Sequence, residues 1–282
     1  DMAKEIPASV TEISAVAEAA GQLGIETENI LKFTRVMIDM GEATNLSAEE
    51  AASSLAQFAN ITQMSQKEFD RLGSTIVALG NSLATTERDI VKMGQRLAGA
   101  GSQIGLTEAQ IMSFAAALSS VGIEAEAGGS AFSRLMVDMQ LAAETGQTAK
   151  KVIDRTGLSL KELQRLADAD GKAFKELAQK MGLTSKELRN YMSAASNLSA
   201  FAEVTGKSAE EFAKAFREDA AGAIIEFIRG LATAEERGLS AIAILDSMGI
   251  TEIRLRDALL RAAGASDVFT EALNLGTQAW EE

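Results

Sequence analysis

The sequence contains neither cysteine nor histidine among its 282 residues. The chain therefore lacks disulfides, thiolate or imidazole metal ligands, and a cysteine nucleophile. A Ser-His-Asp triad and acid–base catalysis by histidine near neutral pH are excluded for the same reason. Catalysis by carboxylates or lysine remains chemically possible, so the composition narrows the enzyme classes without excluding all of them.

Proline and aromatic residues are also scarce, with one proline, one tryptophan, one tyrosine and an aromatic fraction of 5%. The apolar fraction is nevertheless 46%, and alanine, leucine, isoleucine and methionine supply most of it. Small and unbranched apolar residues favour helices because they lose little side-chain freedom there. A sheet protein of this size normally needs many proline and glycine turns. The composition predicts an all-α fold, a multi-helix bundle with no sheet.

Acidic residues outnumber basic ones, which gives a formal net charge of −13. An acidic chain repels phosphate groups, and no run of lysine and arginine indicates a basic patch. We therefore expect no direct binding to nucleic acid or to a membrane. The longest apolar stretch, residues 111–123, is interrupted by serines and is shorter than the roughly 20 residues that a bilayer span requires.

A helix-start signal recurs along the chain: serine or threonine followed three residues later by glutamate or glutamine. In this capping box, the two side chains accept hydrogen bonds from backbone N–H groups at the beginning of a helix. We expect a helix to begin at each box: Ser9/Glu12, Ser47/Glu50, Ser65/Glu68, Thr107/Gln110, Ser159/Glu162, Thr184/Glu187 and Ser208/Glu211.

Glycine followed by an apolar residue precedes several helix starts. The glycine is expected to end the previous helix in the left-handed conformation, and the apolar residue to pack against the next helix. Apolar residues between these points recur at three- and four-residue spacing. The pattern predicts roughly fifteen short helices of about 8–20 residues joined by tight turns. The phrases are Gly105-Leu106-Thr107, Gly157-Leu158-Ser159, Gly182-Leu183-Thr184 and Gly249-Ile250-Thr251.

A composition change near Glu144–Thr148 predicts a domain boundary. The helices before it are rich in alanine, serine and methionine and nearly free of lysine, whereas pairs of lysine, glutamate and arginine are frequent after it. We expect an N-terminal helical domain at 1–145 and a C-terminal helical domain at 146–282. Glycines 157, 182 and 206 lie about 25 residues apart and indicate a local tandem of helical hairpins. The intervening sequences differ too much for a solenoid.

Two segments resemble ligand-binding loops but fit the pattern poorly. Gly99–Gly105 is glycine-rich, but its third glycine falls one place too late for a dinucleotide fingerprint, and helices flank it instead of a strand. We interpret it as a flexible connector. Asp168–Gly171 resembles part of an EF-hand loop, but leucines occupy the first and last ligand positions. We interpret it as a polar turn that caps the next helix.

The densest charge cluster comprises Arg254, Arg256, Asp257 and Arg261. The spacing favours two helix-surface ion pairs, Glu252/Arg256 and Asp257/Arg261, over a phosphate-binding arginine group. The adjacent carboxylates Glu235/Glu236 and Glu210/Glu211 diverge by about 100° on a helix, so neither pair suits general acid–base catalysis. We therefore predict no catalytic, cofactor or metal site, and a protein that is not an enzyme. The methionines are interpreted mainly as core residues.

Several phrases, taken in their order along nearly the whole chain, resemble the core of phage tail tape measure proteins. No single phrase is diagnostic of the family, but the order of the phrases is specific. The phrases are Ala17–Ile25, Asn29–Thr34, Ala43–Ala52, Gly105–Gln110, Val121–Gly129, Thr205–Phe212 and Leu245–Leu260.

The resemblance implies a structural module of a phage or prophage tail, acting in tail assembly, tail-length determination and passage of DNA on infection. It implies self-association and contacts with tail tube, tail tip and tail assembly chaperone proteins. The expected location is the tail lumen of the virion, and the host bacterial cytoplasm during assembly. The alternative is a non-phage helical adaptor or scaffold that binds partner proteins through apolar helix faces.

Overall fold

The computed structural model describes residues 8–282, and within them fifteen α-helices and two short 3₁₀ helices are joined by turns, with no strand. The predicted all-α class and the number of helices are confirmed. The 3₁₀ helices are Gln66–Glu68 and Glu235–Arg237. The α-helices are α1 Val10–Gln22, α2 Ile30–Ala43, α3 Ala48–Thr62, α4 Phe69–Ser82, α5 Glu87–Gln103, α6 Glu108–Ser120, α7 Ala125–Arg155, α8 Leu160–Ala169, α9 Gly171–Lys180, α10 Ser185–Thr205, α11 Ala209–Glu218, α12 Ala220–Ala232, α13 Ala241–Ser247, α14 Ile253–Gly264 and α15 Ser266–Glu281.

Two helices exceed the predicted length of 8–20 residues: α7 has 31 residues and α10 has 21. Gly146 lies inside α7 and does not end it. A Cβ atom at this glycine would come within 2.7 Å of Leu198 Cδ2 in α10, so its lack of a side chain serves close helix packing. The composition change at Glu144–Thr148 therefore falls within a continuous helix. The domain division at residue 145 stays a prediction.

The predicted capping boxes explain where many of the helices begin. At five of them both hydrogen bonds are formed, so these helix starts are confirmed. At Ser9 the hydroxyl accepts from the Glu12 N–H, whereas Ser65 caps a 3₁₀ helix. The complete boxes are Ser47/Glu50, Thr107/Gln110, Ser159/Glu162, Thr184/Glu187 and Ser208/Glu211.

The predicted helix stops are confirmed at all four glycine phrases. Gly105, Gly157, Gly182 and Gly249 have φ angles of +83°, +72°, +72° and +71°. These lie in the left-handed region, which glycine enters without steric cost. At three of the four glycines, the N–H of the following residue donates to a carbonyl five residues earlier, as in Leu106 to Gly101 at 3.0 Å. Carbonyl groups at the helix end are thereby satisfied.

Removing one N-cap hydroxyl should destabilise the protein measurably. Ser208→Ala breaks the capping box that begins α11, and an N-cap serine contributes about 1 kcal/mol. Urea unfolding should show this loss. Ser208→Asp should retain most of the stability, and Ser193→Ala, an exposed serine inside α10, should cost nothing because alanine favours helix interiors. Equal losses at the two positions would contradict the assignment.

Residue contacts divide the chain into two compact units, one formed by residues up to 133 together with 257–282, and the other by 134–256. In the first unit α15 packs against α4 and α6. Phe269 of α15 lies 6.1 Å from the Phe114 ring and 6.0 Å from the Phe132 ring, measured between centroids. This unit also contains two similar hairpins, α2–α3 and α4–α5. Thr86 caps α5 as Ser47 caps α3.

The second unit also contains a repeated hairpin. Ser159 begins α8 and Asp170 separates it from α9, and Ser208 and Asp219 occupy the same positions around α11 and α12. Each aspartate ends one helix and accepts hydrogen bonds at the start of the next. We predicted a tandem of hairpins with a spacing of about 25 residues, and this spacing is wrong, because the two hairpins begin at Ser159 and Ser208. Gly182 leads into the single long helix α10.

Candidate interaction surfaces

The glycine-rich segment Gly99–Gly105 is not the flexible connector that we predicted. Gly99 and Gly101 lie inside α5, and the turn occurs only at Gly105. A Cβ atom on Gly101 would lie 2.8 Å from Ile111 Cγ1 in α6, so this glycine allows α5 and α6 to approach closely. The segment therefore contributes to packing in the first unit.

The segment Asp168–Gly171 caps α9, as predicted. One oxygen of the Asp170 carboxylate accepts from the backbone N–H of Lys172 at 3.1 Å and of Ala173 at 3.0 Å. The Asp168 carboxylate accepts from Gln164 at 3.0 Å. Within the described residues, no group of three or more acidic side chains is placed to hold a metal ion.

The arginine cluster near α14 is divided between separate ion pairs. Arg261 pairs with Asp257 at 2.9 Å, which confirms one predicted pair. The predicted Glu252/Arg256 pair is wrong, because Arg256 pairs with Asp246 and its Nε donates to the Ile250 carbonyl at 2.6 Å. Glu252 lies just before α14, and its backbone carbonyl accepts a hydrogen bond from the Arg256 N–H at 3.0 Å, but the Arg256 side chain turns to Asp246 instead of the Glu252 carboxylate.

The paired carboxylates also have structural explanations. Glu211 completes the capping box with Ser208, and Glu235 and Glu236 are exposed in a 3₁₀ helix. The methionines singled out in the sequence are buried, as expected of core residues: Met37, Met40, Met64, Met112, Met136, Met139 and Met248.

The second unit has a surface groove between α7 and α10 with a volume of about 460 Å³. Leu141, Tyr191 and Ala194 give it apolar character, and Leu141 is 49% exposed. Asp138 and Glu187 are the charged residues of its lining, so the groove combines apolar contacts with negative charge. The sequence reading missed this groove. Tyr191, the one tyrosine of the chain, was its most visible signal.

The carboxylate of Asp138 is the most unusual charge of this groove. Burial raises its pKa above the ordinary value, although Arg134 partly offsets the effect through an ion pair at 3.5 Å. Its Oδ2 atom is buried and is the atom that Arg134 Nε approaches, at a distance too long for a strong hydrogen bond. The ionised form is therefore poorly solvated in the folded protein.

Asp138→Asn should change how stability depends on pH. Because the folded-state pKa of Asp138 is raised, its contribution to stability is greatest at low pH and is lost as pH rises through that pKa. The variant should therefore gain stability relative to the parent as pH rises from about 4 to 7. Urea unfolding across this range measures the difference.

Glu162→Gln supplies the control with the opposite sign. Hydrogen bonds from the side chain and backbone of Ser159 hold the pKa of Glu162 below its ordinary value. Its contribution is therefore present above the ordinary pKa and is lost as pH falls through the folded-state pKa. The parent should be the more stable protein near neutral pH. The same sign of change in both variants would contradict the assignment.

A second groove, of about 420 Å³, lies between α2 and α4 in the first unit. Val36, Met40 and Val77 line it with apolar surface, and Asp39 and Asp70 also contribute to its lining. The carboxylate of Asp70 pairs with Lys32 at 2.8 Å. Each unit thus carries at least one groove in which apolar residues adjoin carboxylates.

Among the described helices, none combines the length and the apolar character that crossing a membrane requires.

Residues 8–282 define an all-α protein with grooves between its helices. The family of phage-related minor tail proteins matches residues 1–198. The chain belongs to this family and has a structural role in a phage tail. No curated protein matches the chain.

Proposed function

We propose that the chain is a module of a tail tape measure protein and acts without catalysis in tail assembly and tail-length determination. The observation that carries this proposal is the family match over residues 1–198. The helical structure of nearly all the described residues agrees with this role.

A helical chain suits a length gauge for a physical reason. An α-helix rises 1.5 Å per residue, so its length is proportional to the number of residues. The 31-residue helix α7 spans about 46 Å on this basis. The two compact units shorten the reach of this segment relative to an extended helix. We therefore propose that it forms part of the ruler as a folded module, which adds less length per residue than an extended helix.

The proposed partners are further copies of the chain and tail tube, tail tip and assembly chaperone proteins. The α7–α10 and α2–α4 grooves supply apolar surface for such helix contacts. The proposed location is the tail lumen in the virion, and the host cytoplasm during assembly. Expulsion of the chain would precede passage of the genome on infection.

An in-frame deletion of residues 8–282 in the phage tests the proposal. We expect shorter tails, or particles whose tails fail to assemble, when lysates are viewed by negative-stain electron microscopy. Gly99→Ala, which adds a methyl group where no atom lies within 4 Å, is the control and should give parental tails. Normal tails of unchanged length with full infectivity after the deletion would overturn the proposal and favour an adaptor without a tail function.

A further inference from the structure

The chain has a net charge of −13, but one folded part of it is basic. We call residues 149–189 the basic lobe; they comprise the end of α7, all of α8 and α9, and the start of α10. Ten lysines and arginines stand there against six acidic residues, Asp154, Glu162, Asp168, Asp170, Glu176 and Glu187. The ten basic residues are Lys150, Lys151, Arg155, Lys161, Arg165, Lys172, Lys175, Lys180, Lys186 and Arg189.

The basic lobe is held together by its own hydrophobic core, so the charges occupy defined positions on its surface. Phe174 and Leu188 are almost completely buried in this core, and all ten basic side chains belong to exposed residues. The remaining core residues come from the same four helices: Ala149, Ile153, Leu163, Ala167, Ala178, Met192 and Ala195.

Most of these positive charges lack a partner within the described structure. Arg189 lies over the Phe174 ring at 4.9 Å, and the charge of Arg165 acts on Glu162. The other eight basic side chains form no ion pair with any described residue. Glu162, Asp170 and Glu187 meanwhile bind backbone N–H groups as helix caps. With ten basic and six acidic residues the lobe carries a formal net charge of +4, and most of its basic side chains are free of ion pairs with described residues.

The first unit, in contrast, contains more acidic than basic residues. Its described ranges, 8–133 and 257–282, contain eight basic and twenty acidic residues. Several of the basic ones are already paired, as in Lys32–Asp70 at 2.8 Å, Arg88–Glu50 at 2.7 Å and Arg261–Asp257 at 2.9 Å. Exposed glutamates remain on α1, on α2 and in the turn between them: Glu18, Glu28 and Glu42.

We propose that the basic lobe of one copy docks on the acidic first unit of a second copy. Opposite charge across an interface steers association and fixes which surfaces meet. A second copy fits better than duplex DNA, because the net charge of the whole chain repels a phosphate polymer. This contact joins two different surfaces and so can continue from copy to copy. The inference rests on the self-association included in the proposed function and names its surfaces, and its test in solution can fail without any change in the tail-length result.

Sedimentation velocity of the purified chain at 50 and 500 mM NaCl tests the proposal. Exposed charges interact over about 10 Å at 0.1 M salt and over much less at higher salt. We expect association at 50 mM and dissociation at 500 mM. A chain that remains monomeric at 50 mM NaCl would overturn the proposal.

Two charge-reversal variants identify the surfaces. The lobe variant carries Lys161→Glu, Lys172→Glu and Lys175→Glu, and the acidic-unit variant carries Glu18→Lys, Glu28→Lys and Glu42→Lys. Each alone should self-associate about tenfold or more weakly, since each exposed pair contributes a small energy. An equimolar mixture should associate again because each reversed surface now meets its complement. The matched control is Lys→Arg at the same three lobe positions, which should associate like the parent.

Circular dichroism spectra that match the parent establish that both variants are folded. Association that the lobe reversal leaves unchanged would overturn the proposal. A gel-shift assay with the parent chain and a 30-base-pair DNA duplex gives the alternative outcome. If the chain binds the duplex but does not self-associate, the proposal is overturned and the basic lobe is assigned to nucleic-acid binding.

Discussion

Phe201→Ala is expected to lower the free energy of unfolding by about 3–5 kcal/mol, the usual cost of truncating a buried phenylalanine. The Phe201 side chain is fully buried. Its ring stacks on Phe212 and meets Phe227 edge to face, with 5.2 Å between centroids in each case. Helices α10, α11 and α12 are thus joined through one ring, and alanine would leave a cavity between them. Urea unfolding of the variant measures the loss.

Two further substitutions separate cavity formation from a general effect of mutation. Phe201→Leu retains part of the volume and should cost less than alanine. Leu31→Ala removes a side chain that is 69% exposed, so its effect should stay within about 0.5 kcal/mol. A loss below about 1 kcal/mol for Phe201→Ala would contradict the packing described for α10–α12.

Gly230→Ala is expected to cost about 3 kcal/mol, near the upper end for an overpacked site. A Cβ atom at Gly230 in α12 would lie 2.2 Å from the backbone oxygen of Val204 in α10. The same oxygen accepts a hydrogen bond from Arg237 Nη1 at 2.6 Å, so a shift of the carbonyl would also disturb that bond. Thermal or urea unfolding of the variant gives the measurement.

The nearest atom that a Cβ at Gly230 would clash with belongs to the Val204 backbone, so shortening a side chain cannot remove the clash. Val204→Ala shortens the side chain but leaves the carbonyl, so the double variant should recover little of the loss. Gly99→Ala in α5 is the matched control: nothing lies within 4 Å of its added methyl group. It should raise stability by about 0.5–1 kcal/mol, because glycine is costly inside a helix. If Gly230→Ala left the free energy of unfolding unchanged, the close approach of α10 and α12 would be contradicted.

The helix starts could be predicted because their chemistry is local. Ser159 and Glu162 are three residues apart and bind each other's backbone, so the pattern contains both partners. The stop at Gly182 is equally local, since it requires only a left-handed residue. All-α architecture followed from many such signals together with the scarcity of proline and aromatic residues.

The remaining features depend on residues that are distant in sequence. Gly146 is a glycine inside a helix because Leu198 packs against it, and nothing near Gly146 in the sequence identifies that neighbour. Arg256 pairs with Asp246, ten residues earlier, and donates to the Ile250 carbonyl, although Glu252 is nearer in the sequence. The basic lobe was missed for a different reason: its ten lysines and arginines are spaced along residues 150–189 without forming a run, and the shared core of the four helices became visible only in the fold.

Tail length in a phage that carries two tandem copies of this segment tests the tape measure proposal most directly. Residues 8–282 would add at most about 400 Å as a fully extended helix, and less if the compact units persist in the tail. Negative-stain electron microscopy of purified particles should show one narrow length distribution, longer than the parental one. Assembled tails of unchanged length despite the duplicated segment would contradict the proposal.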